Sequence, residues 1–166
     1  CINLMYGIST MLKSRDLTCV GALLRLQLDN CMRTYAAFIA KDRNKVIDCI
    51  ISGNRIDRQV DKNNKQLRDS YLTTEITKFD PIFSDVYDKA SGYIHLSSAA
   101  FYQTIVNTQD YVIEFQVGRD LPEKRNPVLL EAADAFIHFV ELQFKMLYAV
   151  VESKKRADDA LDSSGI

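Results

Sequence analysis

The sequence predicts a mainly α-helical protein, a bundle of five to six helices with a small β-hairpin inserted before the last long helix. Three observations predict it. Apolar residues recur every three or four positions over most of the 166-residue chain, one short stretch alternates instead, and the chain has only 6 Gly and 3 Pro. We expect a single helical-bundle domain over residues 1–157 and a frayed tail over 158–166.

The first two helices are predicted over residues 2–13 and 17–40, with Ser14 or Asp16 available to cap the second. The second helix is apolar around so much of its circumference that it is typical of the middle of a bundle. Arg25 and Asp29 interrupt it, four residues apart and on one face. Such a pair either links two helices as a structural ion pair, or Asp29 orients Arg25 toward an anionic group such as a phosphate.

The middle of the chain predicts three shorter helices. The first covers residues 45–52 and is stopped by Gly53 and Asn54, and a polar loop or a frayed helix follows over 54–65. Helical spacing resumes over residues 65–79. Asp80 and Pro81 then predict the start of a helix that runs to residue 94, because Asp caps helices and Pro is tolerated in the first turn.

Residues 111–117 alternate between apolar and polar side chains, as a half-buried strand does. We expect its partner strand over 101–106 across a turn at 107–110, followed by a charged loop over 118–126. Asn126 and Pro127 predict the start of the last helix, to about residue 155. Its broad apolar surface predicts a homodimer formed through this helix.

Composition and motifs exclude several classes of protein. The formal net charge of −1 excludes a protein that binds nucleic acid through its overall charge. The sequence motifs of nucleotide-fold enzymes, zincins and serine hydrolases are missing. The four cysteines form no zinc pattern and are typical of a reduced, cytoplasmic protein. No apolar run is long enough to span a membrane. We expect no metal and no cofactor.

Residues 41–69 carry a weak excess of positive charge, eight basic residues against five acidic ones. Solvated helix faces usually look like this, and RNA binding is the less common alternative. The candidate RNA contacts are Arg43, Arg55, Arg58 and Lys62.

His95 is the candidate catalytic residue. It follows Tyr87 and Ser91 at steps of four, so the three lie along one side of the predicted helix, and His95 falls where that helix ends. An imidazole placed there with hydroxyls nearby can transfer protons near neutral pH. The alternative is a histidine that caps the helix C-terminus.

The segment Asp85-Val-Tyr-Asp-Lys-Ala-Ser-Gly-Tyr-Ile-His95-Leu-Ser-Ser98 resembles the Tyr…Ser-x-x-x-His segment of some prokaryotic HEPN-like helical proteins. Arg25-Leu-Gln-Leu-Asp29 is similar to the Arg and acidic pair on an upstream helix of those proteins. The resemblance implies a helical bundle that dimerises and, in many members, a metal-independent ribonuclease of defence or toxin systems. Where the family motif has an Arg before its His, Lys89 stands six residues before His95.

Two functions follow from the resemblance. In the first, an endoribonuclease, His95 acts as general acid or base on a ribose 2′-hydroxyl. Arg25 and Lys89 then stabilise the developing phosphorane charge, while Asp29, Tyr87 and Ser91 orient these groups. In the second, a catalytically silent HEPN-like module binds a nucleotide or a partner protein. The endoribonuclease function also implies a partner protein that neutralises the enzyme.

Overall fold

The computed structural model describes residues 2–95, 105–109, 112–115 and 126–163. Within these residues the chain is mainly helical, as the sequence predicts. None of the helices described there is both long and apolar enough to cross a membrane.

Six helices occur in the described part of the chain. They are α1 (Ile2–Lys13), α2 (Leu17–Ile39), α3 (Arg43–Ile51), α4 (Asp69–Thr77), α5 (Phe83–Ile94) and α6 (Asn126–Ser163). The predicted bounds of the first two helices are confirmed to within one residue. Helix α6 ends at Ser163, eight residues beyond the predicted end, and the helix-favouring residues Ala157, Ala160 and Leu161 lie in that extension.

Local hydrogen bonds explain where α1 to α3 begin and end. The Asp16 carboxylate accepts from the Cys19 backbone N–H at 3.0 Å and so caps α2, as predicted. Asp42 caps α3 in the same way, accepting from the Lys45 N–H at 3.0 Å, which is why α3 begins at Arg43 instead of residue 45. Gly53 follows the end of α3, as the sequence predicts, and adopts the left-handed conformation at φ 68°.

Two other predicted helix starts differ from the structure. Helix α4 begins at Asp69, four residues late, because residues 65–67 pair with the preceding loop, where the Asp61 N–H donates to the Lys65 carbonyl at 2.9 Å. Helix α5 begins at Phe83 with Ile82 at its N-cap, so the expected cap by Asp80 is wrong. Residue 80 instead continues the end of α4, its N–H donating to the Ile76 carbonyl at 2.9 Å.

Two short strands, β1 (Ile105–Gln109) and β2 (Val112–Phe115), pair antiparallel. Residues 107–109, which the sequence predicts as turn, belong to β1. Residues 101–104, most of the expected partner strand, lie outside the described residues, as do 111, 116 and 117 of the second expected strand. The expected loop over 118–125 and the end of the tail, 164–166, also lie outside them.

Backbone packing divides the chain into two compact units. The first unit comprises Cys1–Leu28 and Ile82–His138, and the second comprises Asp29–Pro81 and Phe139–Ile166. The prediction of one domain over residues 1–157 stays a prediction. Fully buried apolar side chains of the first unit include Val20, Leu28 and Phe83, and those of the second include Cys31, Leu67, Leu72, Ile76 and Phe139.

Candidate functional site

Arg25 lies in the first unit and reaches from α2 to α5. Its Nε donates to the Ser91 hydroxyl at 3.0 Å, and its Nη2 donates to the Tyr87 hydroxyl. The guanidinium carbon also lies 3.9 Å from the centre of the Tyr87 ring, within cation–π range. Only 8% of Arg25 is exposed. Three of the residues singled out in the sequence are thereby brought together.

Ser91 is oriented to accept from Arg25. Its hydroxyl donates to the Tyr87 carbonyl one helical turn earlier, at 2.7 Å, so its lone pairs are left for the guanidinium. Tyr87 in turn packs against Phe83, with ring centres 6.4 Å apart. The arrangement is that of a buried cation satisfied by a neighbouring helix, which is what burial of a charge requires.

A glycine brings α2 and α5 close enough for these bonds. A Cβ built on Gly21, one turn before Arg25, would lie 2.4 Å from the nearest ring carbons of Tyr93. Any larger residue therefore collides with the Tyr93 ring. Gly21 is buried in the second turn of α2, inside the helix, where glycine is otherwise unfavourable. The close approach of the two helices at this point depends on it.

His95 lies at the C-terminal end of α5 and is exposed. Its backbone N–H donates to the Ser91 carbonyl at 3.1 Å, which ends the helix. The residue therefore follows Ser91 along the same side of the helix, as the sequence predicts. Residues 96–104, which follow it, lie outside the described part of the chain.

Lys89 lies on another face of α5. It is two positions from both Tyr87 and Ser91, which is about 200° of rotation around the helix axis. Its Nζ pairs with the Asp85 carboxylate at 2.8 Å, and that hydrogen bond and charge raise the pKa of Lys89 above its ordinary value. The structure therefore does not bring Lys89 to the guanidinium of Arg25. Asp29 is half-buried and belongs to the second unit.

The four candidate RNA contacts separate into two pairs. Arg55 forms an ion pair with Asp57, and Arg58 is an exposed residue of the same loop. Arg43 and Lys62 instead line an open cleft of about 390 Å³ in the second unit. The other lining residues are Tyr35, Phe38, Ile39, Asp61, Asn63, Tyr71, Glu75 and Ser153.

Asp61 is the most strongly bonded polar group of this cleft and is only 3% exposed. Its carboxylate accepts from the Lys65 N–H at 2.7 Å, the Asn63 N–H at 2.9 Å and the Tyr71 hydroxyl at 2.7 Å. Burial acts to raise the pKa of Asp61, but these hydrogen bonds outweigh it and hold the pKa below its ordinary value. The hydrogen bond that the Tyr71 hydroxyl donates to Asp61, together with burial, strongly raises the pKa of Tyr71.

Aromatic side chains form the apolar part of the cleft. Tyr35 lies beside Phe38, with ring centres 6.4 Å apart, and beside Phe79 at 5.5 Å. Burial and the charges of Glu75 and Asp61 raise the pKa of Tyr35 above its ordinary value. The cleft therefore combines ring faces, a hydroxyl donor and charged groups.

The cleft was not predicted from the sequence. The sequence contains one local signal for it. The Asp61 carboxylate accepts from the N–H groups of the residues two and four positions later, which is the pattern of an Asx-type turn. Asn64, at φ 60°, tolerates the left-handed conformation of that turn. The contact of Tyr71 with Asp61 has no such signal.

Among the described residues, no group of three or more His, Cys, Asp or Glu side chains is placed to hold a metal ion. Comparison with protein-family models, with curated proteins and with solved structures gives no significant match.

Proposed function

We propose that this protein is a catalytically silent helical module that binds a nucleotide or a partner protein. The observation that carries the proposal is the engagement of Arg25 by Tyr87 and Ser91 of α5. Stabilising a phosphorane requires donors aimed at the reacting phosphate, and those N–H groups of Arg25 are aimed into its own fold. Lys89, the other expected cation, is paired with Asp85 on a different face.

A specific observation favours the endoribonuclease as a second candidate. His95 is exposed and follows Ser91 directly along α5, so a reacting group beside His95 would lie one turn from the Arg25 cluster. In that function His95 acts as general acid or base, and Arg25 acts as the electrostatic stabiliser. Three further expectations belong to this second candidate function. They are membership of the HEPN-like family, a helical bundle with an inserted hairpin, and a partner protein that neutralises the enzyme.

One assay separates the two functions. A mixed RNA panel is incubated in EDTA with the protein and with its His95→Ala and Arg25→Lys variants, and the products are resolved by end-group analysis. The silent module predicts no cleavage by any of the three proteins, each shown to be folded by circular dichroism. Cleavage by the unchanged protein that leaves 2′,3′-cyclic phosphate ends and is lost in His95→Ala would refute the silent module.

The homodimer through α6 is part of the same proposal. In the second unit, this helix exposes four large apolar side chains at i, i+3, i+4 and i+7: Phe144, Leu147, Tyr148 and Val151. Spacing of this kind forms one stripe along a helix, as in helices that pack against a partner helix. A cytoplasmic location is likewise proposed, and the free thiols of Cys19, Cys31 and Cys49 support it.

A further inference from the structure

The cleft of the second unit has the size of a small-molecule site. Its volume of about 390 Å³ lies within the ~300–1,000 Å³ usual for such sites. Helices α2 and α4 supply its aromatic faces, Tyr35 and Phe38 from the end of α2 and Tyr71 from α4. The hydrogen bond from Tyr71 to the buried Asp61 fixes this wall in place before any ligand binds.

The charged side chains that line the cleft differ in whether they already have partners. Both carboxylates are already engaged, Asp61 by three or more donors and Glu75 by an ion pair with Lys78. Within the described residues, neither Arg43 nor Lys62 has an ion-pair partner. The hydrogen bonds to Asp61 come from neutral donors and leave its charge in place, but Lys78 neutralises Glu75. Counting Lys78, these five residues carry a net charge of +1, and Arg43 and Lys62 are the two cations among them without an ion pair to any described residue.

We propose that this cleft binds a nucleoside phosphate, with the phosphate held by Arg43 and Lys62 and the base stacked on Tyr35 or Phe38. This inference rests on the proposed function and names the ligand and site of the silent module. Arginine and lysine are the usual partners of phosphate oxygens. Aromatic faces stack any of the bases, so the site has no strong base preference.

The test is isothermal titration calorimetry of the full chain in EDTA with ADP, GDP and CDP as probes. We expect one nucleotide bound per chain, with an affinity that falls as salt is added. Arg43→Gln and Lys62→Gln should each weaken binding about tenfold or more, because each removes a charge-assisted contact. Lys45→Gln is the matched control: it removes an exposed positive charge two residues from Arg43 but outside the cleft, and should change the affinity less than twofold.

Several results would overturn the inference. These are no binding of any of the three nucleotides at millimolar concentration, binding by both glutamine variants that is as tight as binding by the unchanged protein, or inorganic pyrophosphate binding as tightly as ADP. An RNA oligonucleotide whose binding depends on Arg43 and Lys62, with no binding of nucleotides, would assign the cleft to RNA instead.

Failure of this inference is distinguishable from failure of the proposed function. A protein that binds no nucleotide and cleaves no RNA remains a silent module, and its partner is then a protein. A protein whose RNA cleavage is lost in His95→Ala is an enzyme, whatever the cleft binds.

Discussion

Gly21→Ala tests the close approach of α2 and α5. The added methyl group would lie 2.4 Å from two ring carbons of Tyr93, whereas carbon atoms in contact are normally ~3.5–4.0 Å apart. The ring must therefore move by about 1 Å. One of these carbons is Cγ, which lies only two bonds from Cα, so the collision is not with the tip of a flexible side chain and α5 has to shift.

Two opposing terms set the magnitude. Replacing a mid-helix glycine by alanine contributes about 1 kcal/mol to stability. Overpacking a buried contact costs about 1–3 kcal/mol, and a collision this close to the backbone lies toward the upper end. We expect Gly21→Ala to lower the free energy of unfolding by about 1–2 kcal/mol.

Urea denaturation followed by far-UV circular dichroism measures the free energy of unfolding. Gly7→Ala is the matched control. Gly7 is also mid-helix, but its nearest neighbour is the Leu23 side-chain tip at 3.4 Å, so alanine there should raise stability by up to about 1 kcal/mol. In a Tyr93→Ala background, Gly21→Ala should no longer destabilise. Gly21→Ala proving as stable as the unchanged protein would refute the argument from the collision.

Three further predictions use the same measurements or light scattering. Arg25→Ala should lower the free energy of unfolding by about 2–4 kcal/mol, because it leaves a cavity and removes a charged donor. Arg33→Ala, at an exposed position of α2, is the control and should change the free energy of unfolding by less than about 0.5 kcal/mol. Equal losses would contradict the role of the hydrogen bonds. The lowered pKa of Asp61 means that it stabilises the fold above its unfolded pKa of about 3.9, and this stability is lost as pH falls through its lower folded pKa. Tyr71→Phe should flatten that acid-side decline, and an unchanged pH profile would show that the hydrogen bond contributes nothing. Light scattering should show a dimer at micromolar concentration and a monomer for Phe144→Glu, and a monomeric unchanged protein would refute the dimer.

Local features of the fold could be read from the sequence because their causes lie within a few residues. Asp16 caps α2 through an N–H three positions on, and Gly53 ends α3 through its own backbone conformation. The cap expected at Asp80 failed because continued winding of α4 through that residue competed with it. Helical spacing also placed Tyr87, Ser91 and His95 along one side of α5.

Which partners those side chains meet depends on residues far away in the chain. The amphipathic pattern determined by itself that the chain is mainly helical and that Arg25 must be satisfied, since burying a charge without partners is costly. It did not determine that Ser91 and Tyr87, more than sixty positions later, supply those partners. Likewise Tyr35 and Asp61 share a cleft only because α2 and the loop before α4 pack together. Periodicity reports which face of a helix is buried, whereas the identity of the neighbour on that face is decided by tertiary packing.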